Sequence, residues 1–194
     1  MLRRVTHQLQ RLSESLLAVR RQIRGVPVRI INTRQDLSTQ RVIERLTQAL
    51  DLIATYAPRR FRRLQRDFGG IVVRRFPCRG AFFHQERECL VELTFTVNPR
   101  HTVAEIAASI VHEATHARIA HRCGPLPPEQ RAQEERLCRK AELEFGLALP
   151  DGAVVVQRAR FALGMADQEV APSVDWDEGA RRVAAIDAEA RRTL

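Results

Sequence analysis

Lysine is almost missing from this chain: Lys140 is the only one among 32 basic residues in 194. That bias towards arginine is a compositional habit and carries no functional argument by itself. Aromatics are scarce too, at 5%, with Tyr56 the single tyrosine and Trp176 the single tryptophan. No stretch approaches the ~18 consecutive apolar residues of a membrane span. Nine glycines and nine prolines are scattered without period, which excludes collagen-like, mucin-like and repeat architectures. The four cysteines, Cys78, Cys89, Cys123 and Cys138, form no CxxC pair, and oxidation would allow three connectivities. Met1 to Arg24 is basic, but its longest apolar run, Leu16–Val19, falls short of the ~7–15 residues of an export signal. The expectation is a cytoplasmic protein with reduced thiols.

The chain is 44% hydrophobic and 28% charged, a globular composition. Its length favours one domain able to bury ~70% of its unfolded surface. The net charge of +9 is uneven: residues 1–100 hold 20 arginines against 8 acidic residues, whereas residues 101–194 are net negative. A basic half points to acidic partners, among them nucleic acid, an anionic membrane surface or an acidic protein.

Leu2, Val5, Leu9, Leu12, Leu16, Val19 and Ile23 alternate at spacings of three and four. This predicts an N-terminal amphipathic helix over 1–24, lying on the core, pairing in a homodimer or with a partner, or resting on a membrane interface. A body over 25–165 and a C-terminal linker and helix over 166–194 complete the expected organisation. Within the body, Val26–Ile31 reads as a strand and Thr39–Ala57 as a helix. Arg59–Arg66 continues as a helix with Phe61, Leu64 and Phe68 on one side. Its arginine side is a solvated face by default, with phosphate contact as the alternative. Three strands follow, Ile71–Phe76, Ala81–His84 and Cys89–Val97. Thr102 and Glu105 form a capping box for a helix running to about Arg122. Further helices are expected over 129–148, 153–164 and 175–193, with Trp176 anchoring the last.

His112-Glu113-Ala114-Thr115-His116 is an HExxH. On a helix, positions i and i+4 lie on one face, so two imidazoles can reach a single zinc ion at ~2.0–2.1 Å. Glu113, next to the first histidine, is placed to take a proton from water activated by the metal. The metzincin pattern is not met, because Ile119 and Arg122 stand where it needs glycine and histidine. His121 points ~140° away from His116 on a continuing helix.

A third ligand is sought among Glu134, Glu135 and Glu142 on the next helix. Glu134 shares the apolar face with Leu137, Cys138, Ala141 and Phe145, whereas Glu135 shares a stripe with Cys138 and Glu142. Over about residues 88–145 the layout resembles the HExxH-x18-E pattern of gluzincins, a zincin-like group of zinc metallopeptidases. The resemblance implies His112, His116 and Glu135 as zinc ligands and Glu113 as general base. Glu134 remains the alternative ligand, Glu142 would support a ligand from behind, and Cys138, one turn after Glu135, is a candidate for the same place by position but reads as a buried, inert thiol. Arg118 stands where the group has an apolar residue. The group's oxyanion-binding Tyr or His has candidates here by type only, in His84 and His101.

The expected fold is therefore α+β and zincin-like: a small, mostly antiparallel sheet on the HExxH helix and a glutamate-bearing helix, with added terminal helices. The expected function is zinc-dependent peptide-bond hydrolysis, the peptide or protein substrate adding as a strand along Cys89–Val97. The alternative is a non-catalytic or degenerate zincin whose basic half binds nucleic acid or a partner protein.

Overall fold

The computed structural model describes residues 18–171 and parts of 178–185. It is a mixed α+β fold. In chain order the elements are β1 (Val19–Ile23), β2 (Val26–Ile30), α1 (Thr39–Tyr56), α2 (Pro58–Asp67), β3 (Gly70–Arg74), β4 (Gly80–Phe83), β5 (Glu88–Glu92), a short α3 (Leu93–Val97) and α4 (Val103–Cys123). A 3-10 turn at Pro128–Gln130 leads into α5 (Arg131–Ala148), α6 (Ala153–Leu163) and the short α7 (Asp167–Val170).

The five strands make one sheet in the order β1-β2-β3-β5-β4. The central strands β2, β3 and β5 run parallel, and β1 and β4 close the two ends antiparallel. Parallel strands need both faces covered. Accordingly Ile71, Val72 and Val73 of β3 and Cys89, Leu90 and Val91 of β5 are all buried. One face of these strands joins Leu46, Leu50 and Ile53 of α1 and Ile106 and Ile110 of α4 in the main core.

Local signals explain the helix ends. The Thr102 side chain accepts from the Glu105 backbone N–H, and the Glu105 carboxylate accepts from the Thr102 N–H at 2.8 Å. That reciprocal cap is worth about 1 kcal/mol and fixes where α4 begins. Ser38 caps α1, and Pro58 sits in the first turn of α2, where its missing N–H costs nothing.

Two sequence expectations are corrected. Residues 19–23 are not the end of a helix over 1–24 but a strand paired with Val26–Ile30. The turn between them has Arg24 and Gly25 both at positive φ, 51° and 78°, the conformation that suits a two-residue hairpin. The remainder of that proposed helix and its dimer seam lie outside the described residues, as do Trp176 and most of the expected final helix. The proposed strand Cys89–Val97 ends at Glu92. Its carboxylate accepts from the Phe95 N–H at 2.6 Å and caps α3, so Leu93–Val97 coils despite its β-forming residues. Furthermore, β5 is an interior strand, so the exposed edge beside α4 belongs to β4. Among the described residues no helix is long and apolar enough to cross a membrane.

Candidate metal centre

Helix α4 packs against α1 and α2, against the β4 and β5 end of the sheet, and against α5. It therefore carries the HExxH between the sheet edge and the glutamate-bearing helix. His112 and Glu113 are buried, and His116 is half-buried.

The two imidazoles converge. Their Nε2 atoms are 3.1 Å apart, and the Glu135 carboxylate lies 3.2 Å from that of His112 and 3.5 Å from that of His116. Behind the rings, each Nδ1 meets a different carboxylate. Glu142 Oε1 is 2.8 Å from His112 Nδ1, and Glu134 Oε1 is 2.7 Å from His116 Nδ1. His116 Nδ1 is hydrogen-bonded to Glu134, whereas His112 Nδ1 is close to Glu142 without the alignment of a hydrogen bond; a proton on each Nδ1 would leave the Nε2 lone pairs directed at one another and at Glu135. Donors this close are held together by a shared proton or by a metal ion among them, and carboxylates behind the imidazoles are the usual support for metal-binding histidines. Two imidazoles and a carboxylate fit zinc.

Glu135 is thus the carboxylate brought to both Nε2 atoms, and Glu134 and Glu142 stand behind the rings. Glu142 is fully buried and also accepts from Arg139 at 2.7 Å, with Arg158 3.6 Å from its other oxygen. A buried carboxylate is tolerable only with such partners. Cys138 lies closer to the centre than an inert core thiol would. Its Sγ and one nitrogen of each histidine fall within 4.8 Å of one another, a second potential donor set.

Electrostatics follow this geometry. Burial alone would lower the imidazole pKa values, but carboxylates outweigh it. Glu135 and Glu142 raise that of His112, and Cys138, Glu134 and Glu135 raise that of His116 well above its ordinary value. Burial works against ionisation of Glu135, yet the two histidines hold its carboxyl far below the ordinary range. Burial pushes the Cys138 thiol up to about 11, in spite of His116. Glu113 is also raised, by burial first, with Glu135 and Glu142 adding to it and the histidines opposing.

Glu113 points at the sheet edge. A Cβ built on Gly80, at the start of β4, would come within 2.7 Å of Glu113 Oε1 and 2.9 Å of Ser109 Oγ. Only glycine lets the edge strand approach the carboxylate this closely. Sequence reading misses Gly80, because nothing local marks it as more than a turn residue. Cys78 is missed as well: it is exposed beside this edge, and its thiol donates to the Gly80 carbonyl at 3.2 Å. All four cysteines are free.

The other described histidines lie elsewhere. His101 lies 3.1 Å from Glu105 at the start of α4, about 16 Å along the helix from His112. His84 packs on Phe82, and His121 is exposed in the last turn of α4. Tyr56 is exposed at the end of α1. Comparison with known proteins finds no matching family model, no matching curated protein and no matching solved structure.

Proposed function

We propose that this chain is a zincin-like, zinc-dependent peptidase that hydrolyses a peptide bond laid along β4. The observation that carries the reading is the convergence of the His112 and His116 Nε2 atoms on the Glu135 carboxylate, with a separate carboxylate behind each ring. His112, His116 and Glu135 would hold the ion. Zinc at such a site supplies Lewis acidity, polarising a carbonyl and making water a stronger acid.

The chain's own groups do the rest. Glu142 and Glu134 orient the imidazoles. The outer edge of β4 is unpaired among the described residues and offers backbone donors and acceptors to an extended peptide. Glu113, held against Gly80 at that edge, takes the proton of the attacking water on a carboxylate oxygen and delivers it to the leaving amine nitrogen. Burial raises its pKa, which suits a group that must accept and release the same proton.

Cys138 supports a second reading. With His112, His116 and Glu135 it would give four protein ligands, the closed set of a structural zinc site in a non-catalytic protein.

Elemental analysis of the purified protein beside a His116→Ala variant tests the site, and cobalt substitution tells the two readings apart. The expected result is about one zinc per chain in the parent, none in the variant, and a cobalt spectrum without a thiolate charge-transfer band. A thiolate band lost in Cys138→Ser favours the closed site. No zinc in the parent after reconstitution would overturn both.

A further inference from the structure

The HExxH face uses one side of α4, and the opposite side meets a different surface. Arg59, Arg62, Arg63 and Arg66 of α2 line a shallow cleft of about 270 Å³. They stand on one face of α2, about 5 Å apart per helical turn, because Phe61 and Leu64 turn the other face into the core. Helix α4 packs beside α2, and it carries Arg118 and Arg122 outside the cleft's own lining. Desolvation first, then the guanidiniums of Arg122, Arg63 and Arg66, push the Arg118 pKa down, with Asp67 acting in the other direction. Arg118 therefore feels the charges of Arg63, Arg66 and Arg122.

Acidic groups nearby are already engaged. Both Asp67 carboxylate oxygens accept from Arg66, and Glu144 pairs with Arg60 outside the cleft. Among the described residues no hydrogen bond or ion pair is made by the side chains of Arg59, Arg62, Arg63, Arg118 or Arg122. Asp67 is a counter-charge held by Arg66, and the like charges left beside it can be relieved by an external anion.

We propose that this arginine cleft on α2 binds the phosphate backbone of a nucleic acid duplex, without regard to base sequence. Guanidinium groups present the planar pair of N–H donors that phosphate oxygens accept, and a row of them repeated per helical turn matches a polymer of phosphates better than one small anion. The cleft is lined by arginine alone, so it offers phosphate contacts and no platform for stacked bases. A membrane surface is less well matched, because an interfacial helix needs an apolar face to insert, and that of α2 is buried. The inference uses no residue of the HExxH face and stands whether or not zinc binds there.

The test is fluorescence anisotropy of a labelled random-sequence DNA duplex titrated with the full chain, at salt concentrations from about 50 to 200 mM. With four to five phosphates neutralised, affinity should fall on the order of 10²- to 10³-fold across that range. The triple variant R62Q/R63Q/R118Q should bind at least ~10-fold more weakly, with the log–log salt slope reduced by about 3. R62Q/R63Q, which leaves α4 untouched, should show about two-thirds of that slope change and serves if the triple variant melts early. R100Q/R131Q/R160Q removes the same charge from exposed arginines outside the cleft and should bind within about 2-fold of the parent. Absence of duplex binding, or equal losses in the two triple variants, overturns the proposal. So does preferential binding to vesicles of phosphatidylserine and phosphatidylcholine that the cleft variant loses, which would assign the cleft to a membrane.

Discussion

Helix α4 turns His112, Glu113 and His116 towards the sheet edge and the carboxylates of α5, while Arg118 and Arg122, less than two turns further on, join the arginines of α2. Helical rotation separates the two sets, since Arg118 and Arg122 lie about 200° and 240° around the axis from His116. The faces handle charge in opposite ways. On the inner face each imidazole is flanked by carboxylates, and the buried Glu142 touches both a histidine and an arginine. On the outer face guanidiniums crowd one another. Buried charges must find partners within the fold, because removing one partner of such a pair costs about 3–5 kcal/mol. Exposed charges can stay unpaired at small cost, and such a surface is free to meet an external ligand.

Glu113→Gln gives the largest expected effect and tests the inner face directly. The amide keeps the volume beside Gly80 but cannot accept the proton, so kcat on a peptide substrate should fall about 10²- to 10⁴-fold while zinc content stays at the parent level. Full activity in this variant would remove Glu113 from the chemistry.

The next effect is smaller and concerns the support behind the ligands. Glu142→Gln removes the charge behind His112 and the counter-ion of Arg139 and Arg158. Zinc affinity, measured by competition with a chelator, should drop about 10- to 100-fold. An unchanged affinity would mean that the carboxylate serves only the two arginines, and that the inner face is less tightly coupled than its distances imply.

The two faces of α4 were unequally legible in the sequence. The helix itself announces its start through Thr102 and Glu105 and runs without glycine or proline to Cys123. The HExxH spacing then puts both imidazoles on one side. The third carboxylate is harder to read, because Glu134 and Glu135 sit 100° apart and only packing against α4 sets which one reaches the Nε2 atoms. Gly80 and the outer arginine cleft depend on contacts between segments distant in the chain. So does the position of β4 at the sheet edge, since the order β3-β5-β4 has no local signature. Of the hairpin at residues 19–30, Val26–Ile30 reads as the strand it is, whereas residues 19–23 read as helix because Val19 and Ile23, four apart, suit a helical seam and one face of a strand equally well. At Leu93–Val97 the cap provided by Glu92 overrides β propensity.

The smallest expected effect belongs to the outer face, and its sign is what matters. Arg118 and Arg122 are four apart, a like-charge pair on adjacent turns, and Arg63 and Arg66 add to the repulsion. Arg122 has a compensation, because a cation in the last turn is favoured by the helix dipole; Arg118 lies further from the C-terminus, where that effect has faded. Arg118→Gln is therefore the cleaner probe. Glutamine has a similar helix propensity and keeps part of the aliphatic stem. Relief of repulsion should raise Tm by roughly 1 °C at low ionic strength. The gain should vanish near 1 M salt, where the screening length shrinks to about 3 Å. A fall in Tm at both salts would show that the Arg118 stem, rather than its charge, dominates, and would make the outer face an ordinary packed surface. A rise confined to low salt would show uncompensated charge held in place by the fold, which is the condition a phosphate backbone would relieve.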